Sequence, residues 1–155
     1  MYLIDTNILV SEILVKYEQD EESLTYRNFY QQIPLIQRVI PDVVLNEFEL
    51  YMLQVVPSRY QSRMPQAERQ ELRSITSSYI GRVIETSTLM TPSLPVIHHA
   101  FHLHKRFLHT HYISFTDSLL LAIAKANNHT LMTKDRRLRA RAKEIDIAYY
   151  ETTEE

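Results

Sequence analysis

The chain has 155 residues, of which 45% are hydrophobic and 23% are charged, and its formal net charge is −2. This composition is typical of one globular domain, and the charge gives no overall attraction to nucleic acid, so any such attraction has to be local. The lack of cysteine excludes disulfides and thiolate metal sites, and the single glycine, Gly81, excludes glycine-rich phosphate loops. No apolar run is long enough to span a bilayer. Because the first predicted strand begins at the first residues, we expect no signal peptide and a cytoplasmic protein.

The first predicted element is a short buried strand that ends at an acid. Residues 2–4 (Tyr-Leu-Ile) form an apolar run, and Asp5 follows it directly. Thr6 and Asn7 then begin a helix that we expect to extend to about residue 17. Open α/β sheets bind ligands at the carboxyl ends of parallel strands, so Asp5 is a candidate functional residue. Its alternative role is to cap the helix that follows.

The rest of the chain alternates between helical patterns and short apolar runs. The expected helices cover residues 23–32, 42–56 (ended by Pro57), 66–85, 95–109, 117–126 and about 135–143. The expected strands lie within 35–40, 130–133 and 145–150, with a loop or short extended piece at 86–95. This alternation predicts an α/β protein with a parallel sheet, in a single domain over residues 1–150 with a frayed tail at 151–155.

Three later acids occupy positions comparable to that of Asp5. Glu47 borders the apolar stripe of the helix over 42–56, where an unpaired acid is costly; its alternative role is a salt bridge. Asp117 lies in the first turn of an apolar helix, and Ser114-x-x-Asp117 also fits a capping box. Asp135 follows a short strand, and either Thr133 or Asp135 could simply cap the basic helix after it.

Together these four acids, Asp5, Glu47, Asp117 and Asp135, predict a metal site at the edge of the sheet. Two unit charges about 4 Å apart repel by roughly 4 kcal/mol at an effective dielectric constant of 20, and a divalent cation relieves that repulsion. Oxygen ligands without cysteine suit Mg²⁺ or Mn²⁺. Such ions activate water and stabilise charge on a phosphate under attack.

The segments that carry these acids resemble the acidic motifs of PIN-domain ribonucleases, in order and in spacing. They are residues 3–7 (Leu-Ile-Asp-Thr-Asn), 41–47 (Pro-Asp-Val-Val-Leu-Asn-Glu), 115–117 (Phe-Thr-Asp) and 131–135 (Leu-Met-Thr-Lys-Asp). The resemblance extends from Met1 to about Tyr150. It implies a three-layer α/β/α fold around a parallel sheet of four or five strands, and metal-dependent cleavage of RNA phosphodiester bonds.

The resemblance also assigns roles to residues and suggests partners. It makes Asp5, Glu47, Asp117 and Asp135 metal ligands, and it gives polar supporting roles to Thr133 and to Thr6 or Asn7. Many family members are VapC-type toxins that a small antitoxin neutralises and that are usually dimeric, so we expect an antitoxin partner and a homodimer. Some relatives carry another acid just after the fourth, where this chain has arginines; the number of metal ions, one or two, therefore stays open.

A basic helix follows the fourth acid. It carries six cations, which we expect to spread over the exposed faces: Lys134, Arg136, Arg137, Arg139, Arg141 and Lys143. Because this helix begins at a proposed metal ligand, the cations are candidates for binding the RNA backbone. The alternatives are a solvated helix face or a docking site for an acidic antitoxin segment.

Six of the seven histidines lie between His98 and His111. His98 and His102 share a helix face, a spacing that zinc could use, but no third ligand is evident and an exposed polar face is the favoured interpretation. His109 and His111 precede Asp117 closely enough to approach a substrate, and we assign them no role.

The sequence thus predicts a PIN-like endoribonuclease that acts on single-stranded or looped RNA. One alternative is a haloacid-dehalogenase-like phosphohydrolase with Asp5 as the nucleophile, although Asn7 stands where such enzymes typically have a second aspartate. The other alternative is a non-catalytic PIN-fold module that binds RNA or protein; the presence of all four acids argues against it.

Overall fold

The computed structural model describes residues 1–110 and 112–152. Within these ranges the short strands form one sheet of four, in the order β3-β2-β1-β4, and every pairing is parallel. The strands are β1 (Tyr2–Ile4), β2 (Arg38–Pro41), β3 (Thr88–Met90) and β4 (Thr130–Met132). The register places Leu3 beside both Val39 and Leu131, so β1 lies at the centre of the sheet.

Helices make up most of the described chain. They are α1 (Thr6–Ile13), α2 (Glu21–Gln32), α3 (Asp42–Leu50), α4 (Val56–Arg59), α5 (Gln66–Thr86), α6 (Leu94–Leu108), α7 (Phe115–Asn127) and α8 (Arg136–Glu144). Among the described helices, none is both long enough and apolar enough to cross a bilayer.

The strand order determines where the helices lie. The chain moves from β1 to β2 to β3 in one direction across the sheet, and then returns through α6 and α7 to place β4 on the other side of β1. Because parallel crossovers are right-handed, this reversal puts helices on both faces of the sheet. The α/β/α layers and the parallel sheet are therefore confirmed, and the direction of winding changes between β1 and β4.

The core lies between the sheet and the helices on its two faces. In β1, Leu3 and Ile4 are completely buried, as the apolar run predicts. Helix α7 is buried from Ser118 to Ala124, which confirms its central position. Each fully buried leucine or isoleucine contributes about 1.5–3 kcal/mol relative to an exposed one, so these two elements anchor the edge of the sheet where the acids lie.

Two predicted boundaries are wrong. The helix that begins at Asp42 does not end at Pro57, because a π-helical turn (Tyr51–Val55) carries the chain directly into α4. Pro57 lies in the first turn of α4, where its missing N–H is not needed.

The predicted strand over residues 145–150 is reduced to one bridge between Leu131 and Tyr149. The turn that ends α8 takes up the start of this segment, with Asp146 in the left-handed region at φ 55°. Only two hydrogen bonds, at Ala148 and Tyr150, then connect it to Leu131. Of the tail, only Glu151 and Thr152 lie within the described residues.

Candidate active site

Asp5 lies where the direction in which the chain winds across the sheet reverses, between β1 and β4. It follows β1 directly, is only 5% exposed, and its backbone N–H donates to the carbonyl of Met132 at the end of β4. Its carboxylate Oδ1 accepts a 2.6 Å hydrogen bond from the N–H of Thr6, so Asp5 also caps α1. Capping alone does not account for the second oxygen, which points toward β4.

That second oxygen connects the ends of β1 and β4. Asp5 Oδ2 accepts hydrogen bonds from Thr133 Oγ1 at 2.5 Å and from Asn7 Nδ2 at 2.7 Å. Asn7 Oδ1 accepts from the N–H of Lys134 at 3.0 Å, and Thr133 Oγ1 accepts from the N–H of Asp135 at 3.0 Å. These bonds fix the orientation of the Asp5 carboxylate and the path of the chain from β4 into α8.

Glu47 reaches the same region from α3. It is half-buried, and its Oε2 accepts a 2.5 Å hydrogen bond from Thr6 Oγ1. Glu49, two residues later, is exposed, as its position on the helix predicts. Within the described chain Glu47 takes part in no ion pair, so the salt-bridge alternative is not supported there.

Asp117 and Asp135 both lie at helix starts. Asp117 Oδ2 accepts from the N–H of Ser114 at 2.9 Å, and Ser114 Oγ accepts from the N–H of Asp117 at 3.0 Å, which is the predicted capping box. Asp135 Oδ1 accepts from the N–H of Arg137 at 2.8 Å and so caps α8. The capping roles are therefore real, and they leave the second oxygen of Asp135 without a hydrogen bond from the described residues.

The four acids influence one another electrostatically. Burial is the main cause that raises the pKa of Asp5 from 3.8 to about 7; the charges of Asp117 and Glu47 add to the increase, and the hydrogen bond from Thr133 opposes it. The pKa of Asp117 is also raised, first by burial and then by the charge of Asp135, against the hydrogen bonds from Ser114. The carboxylate of Asp5 is thus repelled by those of Glu47 and Asp117, and that of Asp117 is repelled by Asp135.

Comparison with known protein families identifies the family of the chain. The model of the PIN domain matches residues 2–144, which is nearly the whole chain. The chain belongs to the PIN domain family. No curated protein matches it significantly in sequence.

Solved structures show the same PIN fold. The structure titled FitAB bound to an IR36 DNA fragment aligns with a TM-score of 0.69 and 17% identity, over 97% of this chain and 94% of that one. VapBC2 from Rickettsia felis, bound to a fragment of promoter DNA, gives 0.63 and 18%, over 96% of each chain. VapC20 from Mycobacterium tuberculosis, titled a sarcin-ricin loop cleaving toxin, gives 0.63 and 10%, over 91% and 95%. At these identities the likeness establishes the fold.

The donor chemistry of this PIN domain fits a hard divalent cation, although the acids are not preassembled around one. Within residues 1–110 and 112–152, no three histidine, aspartate or glutamate side chains are drawn together closely enough to hold an ion. Three of the acids instead contact separate donors: Thr6 for Glu47, Ser114 for Asp117 and the start of α8 for Asp135. Carboxylate oxygens of this kind, with no cysteine among the donors, suit Mg²⁺ or Mn²⁺.

The sequence predicts that Lys134 and the cations of α8 all extend over exposed faces, and three of them do not. Lys134 is 16% exposed, and its Nζ lies 2.6 Å from Glu18 Oε2. Arg139 is 13% exposed and pairs with Glu22 at 3.1 Å. Arg141 is 14% exposed and pairs with an acid on its own helix. The predicted exposure is wrong for these three residues, because acids from α8 itself and from the α1–α2 region hold them against the protein.

Arg136 and Arg137 are the exposed cations nearest to the acids, at 81% and 78% exposure. Arg137 Nε lies 3.7 Å from Asp135 Oδ1, and its charge partly opposes the increase in the pKa of Asp117. Lys143 is also exposed but lies near the other end of α8. The assignment of RNA binding therefore applies best to Arg136 and Arg137.

The histidines of α6 do not assemble a metal site in the described residues, His98 and His102 included. His111 lies outside the described residues. Sequence reasoning missed two residues near the site, Glu18 and Tyr112. Glu18 accepts from Ser11 at 2.7 Å as well as from Lys134, a long-range pairing for which the local sequence gives no signal.

Proposed function

We propose that this PIN domain is a metal-dependent endoribonuclease. The observation that supports it best is the buried carboxylate of Asp5 at the switch point of the sheet, with its pKa raised to about 7 beside Glu47 and Asp117. A protein that used Asp5 only as a helix cap would not need to bury it among other acids, since such burial is unfavourable.

Asp5, Glu47, Asp117 and Asp135 would hold Mg²⁺ or Mn²⁺. When bound, the ion lowers the pKa of an attacking water and neutralises charge that develops on the phosphate. Metal titration measures whether one or two ions bind.

The protein's own residues prepare the site. Thr133 and Asn7 hold the Asp5 carboxylate in one orientation, and Thr6 does the same for Glu47. Arg136 and Arg137 lie beside Asp135 and would attract the phosphate backbone of the RNA. The bases of a single-stranded or looped RNA are not held in a duplex. The backbone of such an RNA can therefore approach the edge of the sheet.

The experiment that tests this function is cleavage of a labelled, unstructured RNA with Mg²⁺ or Mn²⁺. Asp5→Asn should abolish cleavage, because the amide keeps the shape of the side chain but loses the charge. Glu49→Gln is the matched control, since Glu49 is an exposed acid on the same helix as Glu47. Full activity of a folded Asp5→Asn variant would remove Asp5 from the mechanism.

Metal binding can be tested without activity. Mn²⁺ that binds the native state must raise the melting temperature, and the increase should be smaller in Asp5→Asn than in the parent protein. A protein that binds RNA but neither binds Mn²⁺ nor cleaves would be a non-catalytic PIN module. The phosphohydrolase alternative is disfavoured by the family assignment and by Asn7, whose amide donates to Asp5 where a second carboxylate would repel it.

The toxin and antitoxin roles are also part of the proposal. VapC20, which shares the fold, is described as a toxin that cleaves the sarcin-ricin loop. We infer that the present chain acts likewise on RNA, as a homodimer and under the control of a small antitoxin. Induced expression in a bacterial host should arrest growth, and Asp5→Asn should relieve the arrest. The oligomeric state can be measured by light scattering.

A further inference from the structure

A cleft of about 320 Å³ lies beside the acids, between the segment that precedes α7 and the first turns of α8. Its lining residues are Tyr112, Arg136, Arg137, Ala140 and Arg141. The volume is at the lower end of the range for small-molecule sites, which suits a ligand about the size of one nucleotide. The function proposed above uses Arg136 and Arg137 of this cleft as phosphate contacts and gives no role to Tyr112 or to the cleft as a whole.

Tyr112 is the apolar side of the cleft. Its side chain is 65% exposed, so most of the ring is accessible to a ligand. The ring has an edge-on contact with His104 at 6.5 Å between centroids, and His104 contacts Phe115 in the same way at 5.9 Å. These contacts support the ring from one side and leave much of its surface accessible.

Arg136 and Arg137 are the polar side. Their partners hold them weakly: Arg136 Nη2 lies 4.0 Å from Glu22, and Arg137 Nε lies 3.7 Å from Asp135. Exposed ion pairs at such distances contribute little, so the guanidinium groups are free to bind another anion. Arg141, in contrast, is held by Glu144 at 2.8 Å and forms a fixed wall.

The cleft adjoins the acids directly. Arg137 Nε lies 3.7 Å from Asp135 Oδ1, so one side chain of the cleft contacts a proposed metal ligand. Tyr112 lies two residues before Ser114, whose N–H holds Asp117 at 2.9 Å. A strand of RNA whose phosphate reached the acids would therefore place a neighbouring nucleotide in the cleft.

We propose that this cleft binds one unpaired nucleotide of the RNA, next to the phosphate that is cleaved. Tyr112 stacks on the base, and Arg136 and Arg137 bind the adjoining phosphate. A base within a duplex is already stacked on both faces and cannot be reached by Tyr112, so the cleft selects single-stranded RNA. This inference rests on the proposed nuclease function and specifies its substrate.

Binding of RNA in the Asp5→Asn background, where no cleavage occurs, tests the inference. In this experiment the parent is the Asp5→Asn protein, and every other substitution is added to it. The affinity for a fluorescent, unstructured RNA is measured by anisotropy with Mg²⁺ present. Tyr112→Ala should weaken binding roughly five- to hundredfold, which is the range for loss of one stacked base. Tyr112→Phe keeps the ring and should bind like the parent. Both variants should keep the parent melting temperature, because the side chain is exposed.

A series of RNAs with one abasic position each gives a sharper test. Where the missing base is the one that stacks on Tyr112, parent and Tyr112→Ala should bind equally well. Arg137→Ala should weaken binding of intact and abasic RNA alike and should reduce the salt dependence, because it removes a phosphate contact. Parent binding to duplex RNA should be weaker than to single strands, and Tyr112→Ala should reduce this difference.

Two control variants match the side chains but lie outside the cleft. Phe101→Ala removes an exposed aromatic ring from α6, and Lys143→Ala removes an exposed cation from α8. Neither should change the effect of the abasic positions.

The outcomes distinguish this inference from the proposed function. If the wild-type protein cleaves RNA but Tyr112→Ala binds every RNA as tightly as its parent, the nucleotide site is overturned and the nuclease function stands. If the wild-type protein neither binds nor cleaves RNA with Mg²⁺ or Mn²⁺, the function itself is wrong. If poly-glutamate displaces RNA equally well from the parent and from Tyr112→Ala, the cleft is a docking site for an acidic protein segment, and the inference is overturned.

Discussion

Thr133 Oγ1 donates a 2.5 Å hydrogen bond to Asp5 Oδ2, and the two residues, which directly follow β4 and β1, are 128 positions apart in sequence. Thr133 is completely buried and Asp5 almost so. The same hydroxyl accepts the N–H of Asp135, so one side chain positions two of the four acids. This bond is therefore a sensitive point for the site.

Removing the hydroxyl should affect activity more than the fold. Thr133→Val keeps the shape of the side chain but leaves Asp5 with one hydrogen bond fewer, and partners of this kind are worth roughly ten- to hundredfold in metal affinity or activity. The lost bond is one that opposes the raised pKa of Asp5, so the acidic limb of the activity profile should move to higher pH. Thr133→Ser should restore both properties. Parent-like activity and profile in Thr133→Val would show that the bond is only structural.

The raised pKa of Asp5 predicts how stability depends on pH when no metal is present. The folded state holds a proton on Asp5 up to about pH 7, whereas the unfolded chain loses it near 3.8. The contribution of this group is therefore complete below pH 3.8 and is lost as the pH rises through 7. Because the pKa of Asp5 differs by about three between the folded and unfolded states, this contribution to stability is at most on the order of 4 kcal/mol.

Urea denaturation of wild-type and Asp5→Asn proteins between pH 4 and 8, in chelator, measures this term. As the pH rises, the free energy of unfolding of Asp5→Asn should increase relative to that of the wild type, because the amide does not ionise. Addition of Mn²⁺ should stabilise the wild type most at the alkaline end, where Asp5 is ionised. Parallel curves for the two proteins in chelator would contradict the assigned pKa.

Asp117 has two roles that mutations can separate. Asp117→Asn removes the charge but keeps an oxygen that can accept from Ser114, so it should lower cleavage by more than about a hundredfold and leave the melting temperature nearly unchanged. Ser114→Ala removes the other half of the capping box and should cost about 1 kcal/mol of stability with cleavage largely kept. RNA cleavage and thermal denaturation of both variants check this; the reverse pattern would reduce Asp117 to a cap.

The fold follows from local patterns to a large extent. The apolar run before Asp5, the apolar helix that begins near Asp117 and the alternation of helices with short strands are local features that burial enforces, and they predict the parallel sheet and the strand ends. The π-helical turn before Pro57 and the reduction of the last strand to one bridge at Tyr149 are not local. They depend on packing against other parts of the fold, which periodicity does not encode.

The positions of the four acids at strand ends and on helices were predictable from the sequence, and their hydrogen-bond partners were not. Asp5 and Asp135 follow strands and Asp117 begins a helix, so the sequence locates them at one edge of the sheet. The hydrogen bond from Thr6 to Glu47 and the pairing of Lys134 with Glu18 join residues 41 and 116 positions apart. Such contacts leave no trace in a local pattern, and the exposure of the basic helix was misjudged for this reason.

The buried pair of Lys134 and Glu18 should contribute to stability, whereas the exposed pair of Lys16 and Glu68 should not. The two charged groups lie 2.6 Å apart and are largely buried, with Ser11 as a further donor to Glu18. Glu18→Gln should therefore cost about 2 kcal/mol, because a buried ammonium group loses its partner. It should also lower RNA cleavage, since Lys134 connects Thr133 to Asp135. Glu68→Gln is the control: it breaks the exposed pair with Lys16 and should change neither property. Urea denaturation and RNA cleavage measure the effects. A double-mutant cycle with Lys134→Met isolates the coupling, and a coupling no larger than that of the Lys16 pair would mean that the buried contact does not position α8.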